Sequence, residues 1–439
     1  MDRRRFLETS AAALGTTRLA SALGSLRSAQ RRPVPTPAQL AWQRDELAVF
    51  VHFGVNTFTD REWGDGKEDP SIFAPAALDA RQWARAARAG GFRAMILTAK
   101  HHDGFCLWPT ATTRHSVASS PWRGGAGDVV REFVDACRAE GLRPGLYLSP
   151  WDRNHPAYGD SPRYNDVYAA QLGELLTRYG PLAEVWFDGA NGEGPNGKRQ
   201  VYDWQRVFAL VRRLQPDAVI FSDAGPDVRW CGNERGEAGD PNWSTVNPAA
   251  VPYPGADGPE IINALQHGDP AGTAWRPAEA DVSIRPGWFY HASQDKDVRD
   301  AASLLQLYMH SVGRNAKLLL NVPPTPAGLF HERDVAALAQ FREALAAFGG
   351  RAVELKSDHP VAIDTVRLAE DIGTGQNVSR YTVSGFGADG WRVVSRGTTI
   401  GYAKIDRFTP TIVTSVRLDA NESIDTPRVA ITAYEAASR

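Results

Sequence analysis

The feature that most constrains this chain is a repeated order of segments: a short apolar run, a polar loop, an amphipathic helix, then glycine. Residues 47–53 (LAVFVHF) read as a first strand. Residues 93–98 follow as a second, after a helical stretch around Trp83 that stops at Gly90 and Gly91. Residues 143–149 form a third, after a helix with Val130, Phe133, Val134 and Cys137 on one face and Gly141 as its stop. Residues 184–188 (EVWFD) form a fourth, after Leu172, Leu175, Leu176 and Tyr179, and residues 218–222 (AVIFS) a fifth, after Val207, Phe208, Val211 and Leu214. A strand that is apolar at nearly every position, not at every second one, must be covered on both faces. That is the condition of a parallel sheet wrapped in helices. Repetition at this spacing favours closure into a (β/α)8-type, TIM-like barrel. Residues 230–286 read as loop-rich, with later strands at 287–291 and 317–322 around a helix near 304–312.

After residue 349 the pattern changes. SRYTVSGF, WRVVSRG and PRVAITAYEA alternate β-branched with polar residues between turn signals. They predict a small antiparallel β-sandwich over 350–439, behind a barrel domain over 31–349. The first thirty residues stand apart. Arg3, Arg4, Arg5, Phe6 and Leu7 resemble the twin-arginine motif of bacterial export signals, and an Ala/Leu-rich run follows. The expectation is a periplasmic or secreted protein, with residues 1–30 outside the fold.

Composition removes several classes. A formal net charge of −2 gives no basic stripe for nucleic acid. No run in the mature part reaches the ~18 apolar residues of a membrane span. Three cysteines, Cys106, Cys137 and Cys231, are not a disulfide framework, although one bridge between Cys106 and Cys231 stays open. Oligomeric state cannot be read.

In a barrel of this type, functional groups gather where strands end. The first strand ends in His52, the second in His101, His102 and Asp103, the third in Tyr147, Ser149, Trp151 and Asp152. The fourth ends in Asp188. The fifth ends in Asp223, before a loop with Arg229, Trp230, Asn233 and Glu234. Polar and aromatic groups thus converge on one end, which suits a small polar ligand. Glycoside cleavage needs two carboxyls flanking the scissile bond. Asp188, closing an apolar strand, fits a rigidly held nucleophile, and Gly189 beside it would let a ligand approach closely. A strand-terminal Asp that only caps its loop fits equally well. Glu234 suits an acid/base in a partly apolar loop, with Glu237 as an equal rival and Glu62, Asp103 and Asp223 in range. The histidines carry no HxH or HExxH spacing, so they are expected to bond hydroxyls as neutral imidazoles, with no metal and no cofactor.

The blocks FVHFGVNTF, EWGDG, LTAKHHDGFCLW, GLYLSPWD, EVWFDGA, FSDAGPDVRWCGNE, GWFYH and SVGRNAKLLLNVPP resemble α-L-fucosidases of glycoside hydrolase family 29. The resemblance implies a retaining hydrolase of fucosylated oligosaccharides or glycoconjugates. It implies that His52, His101, His102, Tyr147 and Trp288 contact fucose, with Glu62 and Trp63 on a loop closing over it and Arg229 among the binding residues. Asp188 matches the family nucleophile. The GNE block resembles the branch acting on α-1,3 and α-1,4 linkages, in which this Glu234 is the acid/base. A silent glycan-binding protein of the same fold and an α-L-galactosidase are the alternatives.

Overall fold

Eight short strands form one parallel sheet: β1 (Leu47–Val51), β2 (Ala94–Lys100), β3 (Arg143–Leu148), β4 (Glu184–Trp186), β5 (Val219–Phe221), β6 (Arg229–Trp230), β7 (Ala278–Ser283) and β8 (Ala316–Asn321). Their order is β5-β4-β3-β2-β1-β8-β7-β6, with every neighbouring pair parallel. An isolated parallel bridge between Phe221 and Val228 joins the two ends, so the sheet closes into a barrel. The structure is a computed structural model and describes residues 32–437. The twin-arginine reading at Arg3 and Arg4 therefore lies outside the described residues.

Helices α1 (Pro37–Arg44), α2 (Ala80–Ala89), α3 (Val129–Ala139), α4 (Ser161–Arg178), α5 (Trp204–Leu214), α6 (Pro259–His267), α7 (Ala301–His310) and α8 (Glu332–Gly350) accompany the strands. Five of them start on an aspartate, and four of those cap the helix with the side chain. Asp79, Asp128, Asp203 and Asp300 each accept a hydrogen bond from an amide three residues on, satisfying a donor that has no partner within the helix. Gly141, at φ 70°, turns the chain from α3 into β3 in a conformation that L side chains rarely adopt. No helix among the described residues is long and apolar enough to cross a membrane.

The strands have two buried faces. Outward residues such as Val49, Met95, Leu97, Leu146 and Leu320 pack under the helices. Inward residues Ala48, Phe50, Ile96, Tyr147, Trp186, Val219, Phe221 and Leu319 fill the barrel, and Trp42 of α1 joins them at its base. Three ionisable groups are sealed beneath this layer. Lys317 Nζ lies 3.2 Å from Glu184 and 3.9 Å from Glu279, and 4.7 Å over the Trp42 ring. Trp42 also donates its indole N–H to Glu184 (2.9 Å).

One expectation is corrected, and the open question of a disulfide is answered. Residues 287–291 are not a strand; they belong to the loop after β7, and the strand itself is Ala278–Ser283. Its sequence, AEADVS, breaks the apolar run because Glu279 and Asp281 point into the barrel, Glu279 accepting from the Trp186 indole and Asp281 facing the cavity above. All three cysteines are free and buried, so Cys106 and Cys231 form no bridge.

The C-terminal antiparallel module follows α8. It comprises β9 (Ala352–Val353), β10 (Lys356–Glu370), β11 (Val378–Gly387), β12 (Gly390–Gly397), β13 (Lys404–Ser423) and β14 (Val429–Glu435). They pair as one continuous sheet in the order β9-β14-β10-β13-β11-β12, over a core of Ile363, Val366, Leu368, Tyr381, Val383 and Val413. Glu46, at the turn into β1, receives hydrogen bonds from Arg367 (2.5 Å), Tyr402 (3.0 Å) and Tyr308 (2.8 Å). From Pro33 onward the chain forms one compact unit.

Candidate active site

The C-terminal ends of the strands surround a cavity of about 310 Å³. β1 contributes Phe50 and, just beyond its end, His52; the turn after β2 contributes His101 and His102, and β3 contributes Tyr147 with Trp151 after it. β4 gives Trp186 and Asp188, β5 gives Phe221 and Asp223, β6 gives Trp230 and the loop residue Glu234, and β7 gives Asp281 with Trp288 after it. Among the described residues no arginine or lysine lines it.

Asp188 is held from two sides. The Tyr147 hydroxyl donates to one oxygen (2.5 Å) and the Ala190 amide to the other (2.7 Å). His102 Nε2 stands 3.6 Å away. Burial and the Asp188 charge push the Tyr147 phenol well above its ordinary value, so it remains a neutral donor. Gly189 lines the cavity, and its missing side chain has a second reason. A Cβ there would lie 2.3 Å from the Gly255 backbone and 2.4 Å from Asp223, so the glycine also admits the neighbouring loop.

The imidazoles are neutral at pH 7. Burial pulls His52 down to about 3 and His101 well below its usual range. It also lowers His102, although the Asp188 charge opposes this. The Asn321 amide group donates to Ser283 Oγ (2.9 Å) and the Trp288 carbonyl (2.8 Å), which turns its oxygen toward His52 Nδ1 (2.8 Å). Nδ1 is therefore the donor and Nε2 of His52 is an acceptor for the cavity. Among the described residues no group of three or more His, Cys, Asp or Glu is arranged to hold a metal ion.

The carboxyls separate by position. Glu234 is an exposed residue on a largely buried loop and lines the cavity; partial burial of its carboxyl, with the charges of Asp188 and Glu62 adding, raises its pKa against an opposing hydrogen bond from Trp288. Glu237 faces away, 3.6 Å from His310 and 3.8 Å from Arg235. Asp103 is buried on the Phe105 amide and Asn56, outside the cavity wall. Asp223 is in the wall; it accepts from the Gly255 amide (2.9 Å), and burial pushes it up to about 6.

Two expected contacts lie elsewhere. Glu62 is occupied by the amides of Trp288 (2.8 Å) and Phe289 (3.2 Å) and by His291 (2.8 Å), so it anchors its loop and does not line the cavity. That loop carries Trp63, which is 57% exposed and sets its ring edge-on to His102 and Trp151. Arg229 is buried behind the wall, its guanidinium spent on the Leu265 and Arg276 carbonyls and on Asn242. Phe50, Trp186, Phe221 and Asp281 were not singled out from sequence. A period-two reading of 279–283, with Glu279, Asp281 and Ser283 on one face, would have found Asp281. A second cavity of about 170 Å³, lined by Asn247, Asn263, Asp269 and Arg276 among others, shares Asp223 with the first.

An aromatic-walled cavity with carboxyls and neutral imidazoles, at the strand ends of a (β/α) barrel, defines a carbohydrate-cleaving enzyme. The family model described as Alpha-L-fucosidase matches residues 67–349, and the chain belongs to that family, glycoside hydrolase family 29. It is 47% identical over 421 residues to an Oryza sativa subsp. japonica protein provisionally named alpha-L-fucosidase 1, covering 86% of this chain and 80% of that one. It is 52% identical over 312 residues to alpha-L-fucosidase 1 of Arabidopsis thaliana, covering 71% of this chain and 60% of that one. A Ruminococcus gnavus family 29 fucosidase solved with fucose superposes with a TM-score of 0.80 at 28% identity, covering 92% and 95% of the two chains. The protein is a glycoside hydrolase acting on α-L-fucosides.

Proposed function

We propose that the chain is a retaining exo-α-L-fucosidase that works by double displacement, with Asp188 as nucleophile and Glu234 as acid/base. The observation that carries this reading is that Asp188 and Glu234 line one cavity while Glu237 is turned away on His310. In the first step Asp188 attacks C1 of fucose and Glu234 gives its proton to the departing glycosidic oxygen. In the second, Glu234 takes a proton from water as that water attacks C1 and releases Asp188. A raised Glu234 suits the first role, and an Asp188 held by Tyr147 and Ala190 suits the second. The neutral imidazoles of His52, His101 and His102 offer acceptors and donors to ring hydroxyls. The apolar faces of Phe50, Trp186 and Phe221 suit a sugar that carries a methyl group at C6.

The test uses two variants. Asp188→Asn should lose about a thousandfold or more in turnover while remaining folded. Glu234→Ala should keep far more of its rate on a dinitrophenyl fucoside, whose leaving group needs no proton, than on an oligosaccharide. Added azide should then give an α-fucosyl azide, because azide attacks the intermediate without needing a base. A β-azide would remove the double displacement. Rescue in Glu237→Ala instead would move the acid/base three residues on.

A further inference from the structure

A double displacement uses two carboxyls, yet four face this cavity: Asp188, Asp223, Glu234 and Asp281. Asp223 is accounted for by the Gly255 amide. Asp281 is not accounted for by the chemistry. It sits on β7, in register with Leu319 of β8, and only 5% of it is exposed. Among the described residues its hydrogen-bonding side-chain partner is the Trp230 indole, which donates to Oδ1 at 2.7 Å.

Trp230 is the last residue of β6 and the root of the loop that carries Glu234. The Cys231 amide donates to the Glu279 carbonyl of β7 (2.9 Å) and is the last backbone bond of the ladder. The loop beyond is braced within itself: Cys231 Sγ donates to the Asn233 carbonyl (3.3 Å), the Asn233 side chain to the Glu237 carbonyl (2.8 Å), and the Arg235 amide back to Asn233 (3.0 Å). A braced loop moves as a body, so what fixes its root fixes Glu234. β6 is only two residues long, and its parallel pairing with β7 covers Arg229 and Trp230 alone. The indole-to-carboxyl bond thus adds a side-chain attachment to the few backbone bonds at the point where the ladder ends.

We propose that Asp281 is a positioning residue for the acid/base: by holding the Trp230 indole it fixes the base of the loop that presents Glu234 to the glycosidic oxygen. This rests on the reading of Glu234 given above. Burial, with the charges of Glu234 and Asp223 adding, pushes the Asp281 carboxyl up to about 8 against the Trp230 hydrogen bond. Below it Glu279 is paired with Lys317, and Cys231 lies alongside. Burial thus favours the neutral form of Asp281 and limits the charge beside the nucleophile. With Oδ1 accepting from Trp230, an amide in its place preserves both the shape and the acceptor.

The variants Asp281→Ala, Asp281→Asn and Trp230→Phe test this against a dinitrophenyl fucoside and a fucosylated oligosaccharide. Asp281→Ala and Trp230→Phe should lose about ten- to a hundredfold in kcat/KM on the oligosaccharide, the scale of a slightly misplaced catalytic group. They should lose little on the dinitrophenyl fucoside. Asp281→Asn should recover most of the loss at pH 7. Adding Asp281→Ala to Glu234→Ala should cost nothing further on the oligosaccharide, because the group being positioned is already gone. Equal losses on both substrates, or additive losses in the double variant, overturn the proposal. If Glu234→Ala alone lacks the leaving-group split, the acid/base reading fails first, and that outcome is visible without any Asp281 variant.

Discussion

His291 shows how a single residue can tie the site to pH. Its two ring nitrogens face two carboxylates, Asp60 at 2.6 Å and Glu62 at 2.8 Å. Burial works against its charge, but the hydrogen bonds to Asp60 and Glu62 outweigh it and hold the pKa above the ordinary histidine value. A group whose pKa rises on docking stabilises the docked loop fully below its free value, and that support is lost as pH climbs through the raised one. The loop carries Trp63 over the cavity, so KM for a small fucoside should rise across that alkaline interval. His291→Gln should flatten the dependence, and parallel KM profiles for the two proteins would rule His291 out. At this scale the sequence was legible where position implies direction. His52, His101, His102, Tyr147 and Asp188 lie at strand ends, and all reach the cavity. Glu62 and Arg229 sit in the right loops, but a loop residue can turn either way, and both turn to backbone partners. Asp281 was missed because a carboxylate inside a strand contradicts the apolar rule used to find the strand.

At the scale of elements, the five leading strands could be read because each is apolar on both faces. β6 and β7 could not be, one being two residues long and the other carrying acids inward. The stretch between them, read only as loop-rich, contains α6 and a hairpin of Thr245–Val246 with Ala274–Trp275. It also supplies most of the wall of the second cavity. A walled space beside the first, sharing Asp223, is suited to the sugar that bears the fucose. With the resemblance of the GNE block at Glu234 as its basis, the proposed preference is for α-1,3 and α-1,4 fucose on branched oligosaccharides, and this space would hold the neighbouring sugar. Binding energy from the second sugar can be used in the transition state, so a Lewis-type trisaccharide should exceed p-nitrophenyl fucoside in kcat as well as in kcat/KM. Equal kcat values on the two would refute the preference, and a panel of α-1,2, α-1,3, α-1,4 and α-1,6 substrates read by mass would rank the linkages.

For the molecule as a whole, the change of pattern after α8 announced the C-terminal sheet, but nothing in the sequence announced how it is tied to the barrel. One tie is Glu46, which has positive φ (58°) and takes three hydrogen bonds, from Tyr308 of a barrel helix and from Arg367 and Tyr402 of the C-terminal module; others join Asn242 to Thr399, Ser244 to Gln376 and Asp240 to Thr398 and Lys404. Glu46→Gln keeps the shape and removes the charge that Arg367 meets. It should lower unfolding stability by about 1–2 kcal/mol, the scale of a partly buried charge-assisted hydrogen bond. It should leave kcat within about twofold, since Glu46 lies at the opposite end of the strands from the cavity. Urea unfolding with parallel assays separates the two effects, and an unchanged midpoint would show that the sheet is held by other contacts.

The sealed base of the barrel has a further consequence, for traffic. With Trp42 and the Lys317–Glu184–Glu279 cluster closing one end, the cavity has no back door. A sugar ring that enters first must leave last. The remainder of the glycan has to clear the mouth before fucose can escape, and whatever replaces it there, water or another hydroxyl compound, arrives by the same route. On the proposed double displacement, which of the two arrives sooner would decide whether the enzyme trims a glycan or passes its fucose on to another acceptor.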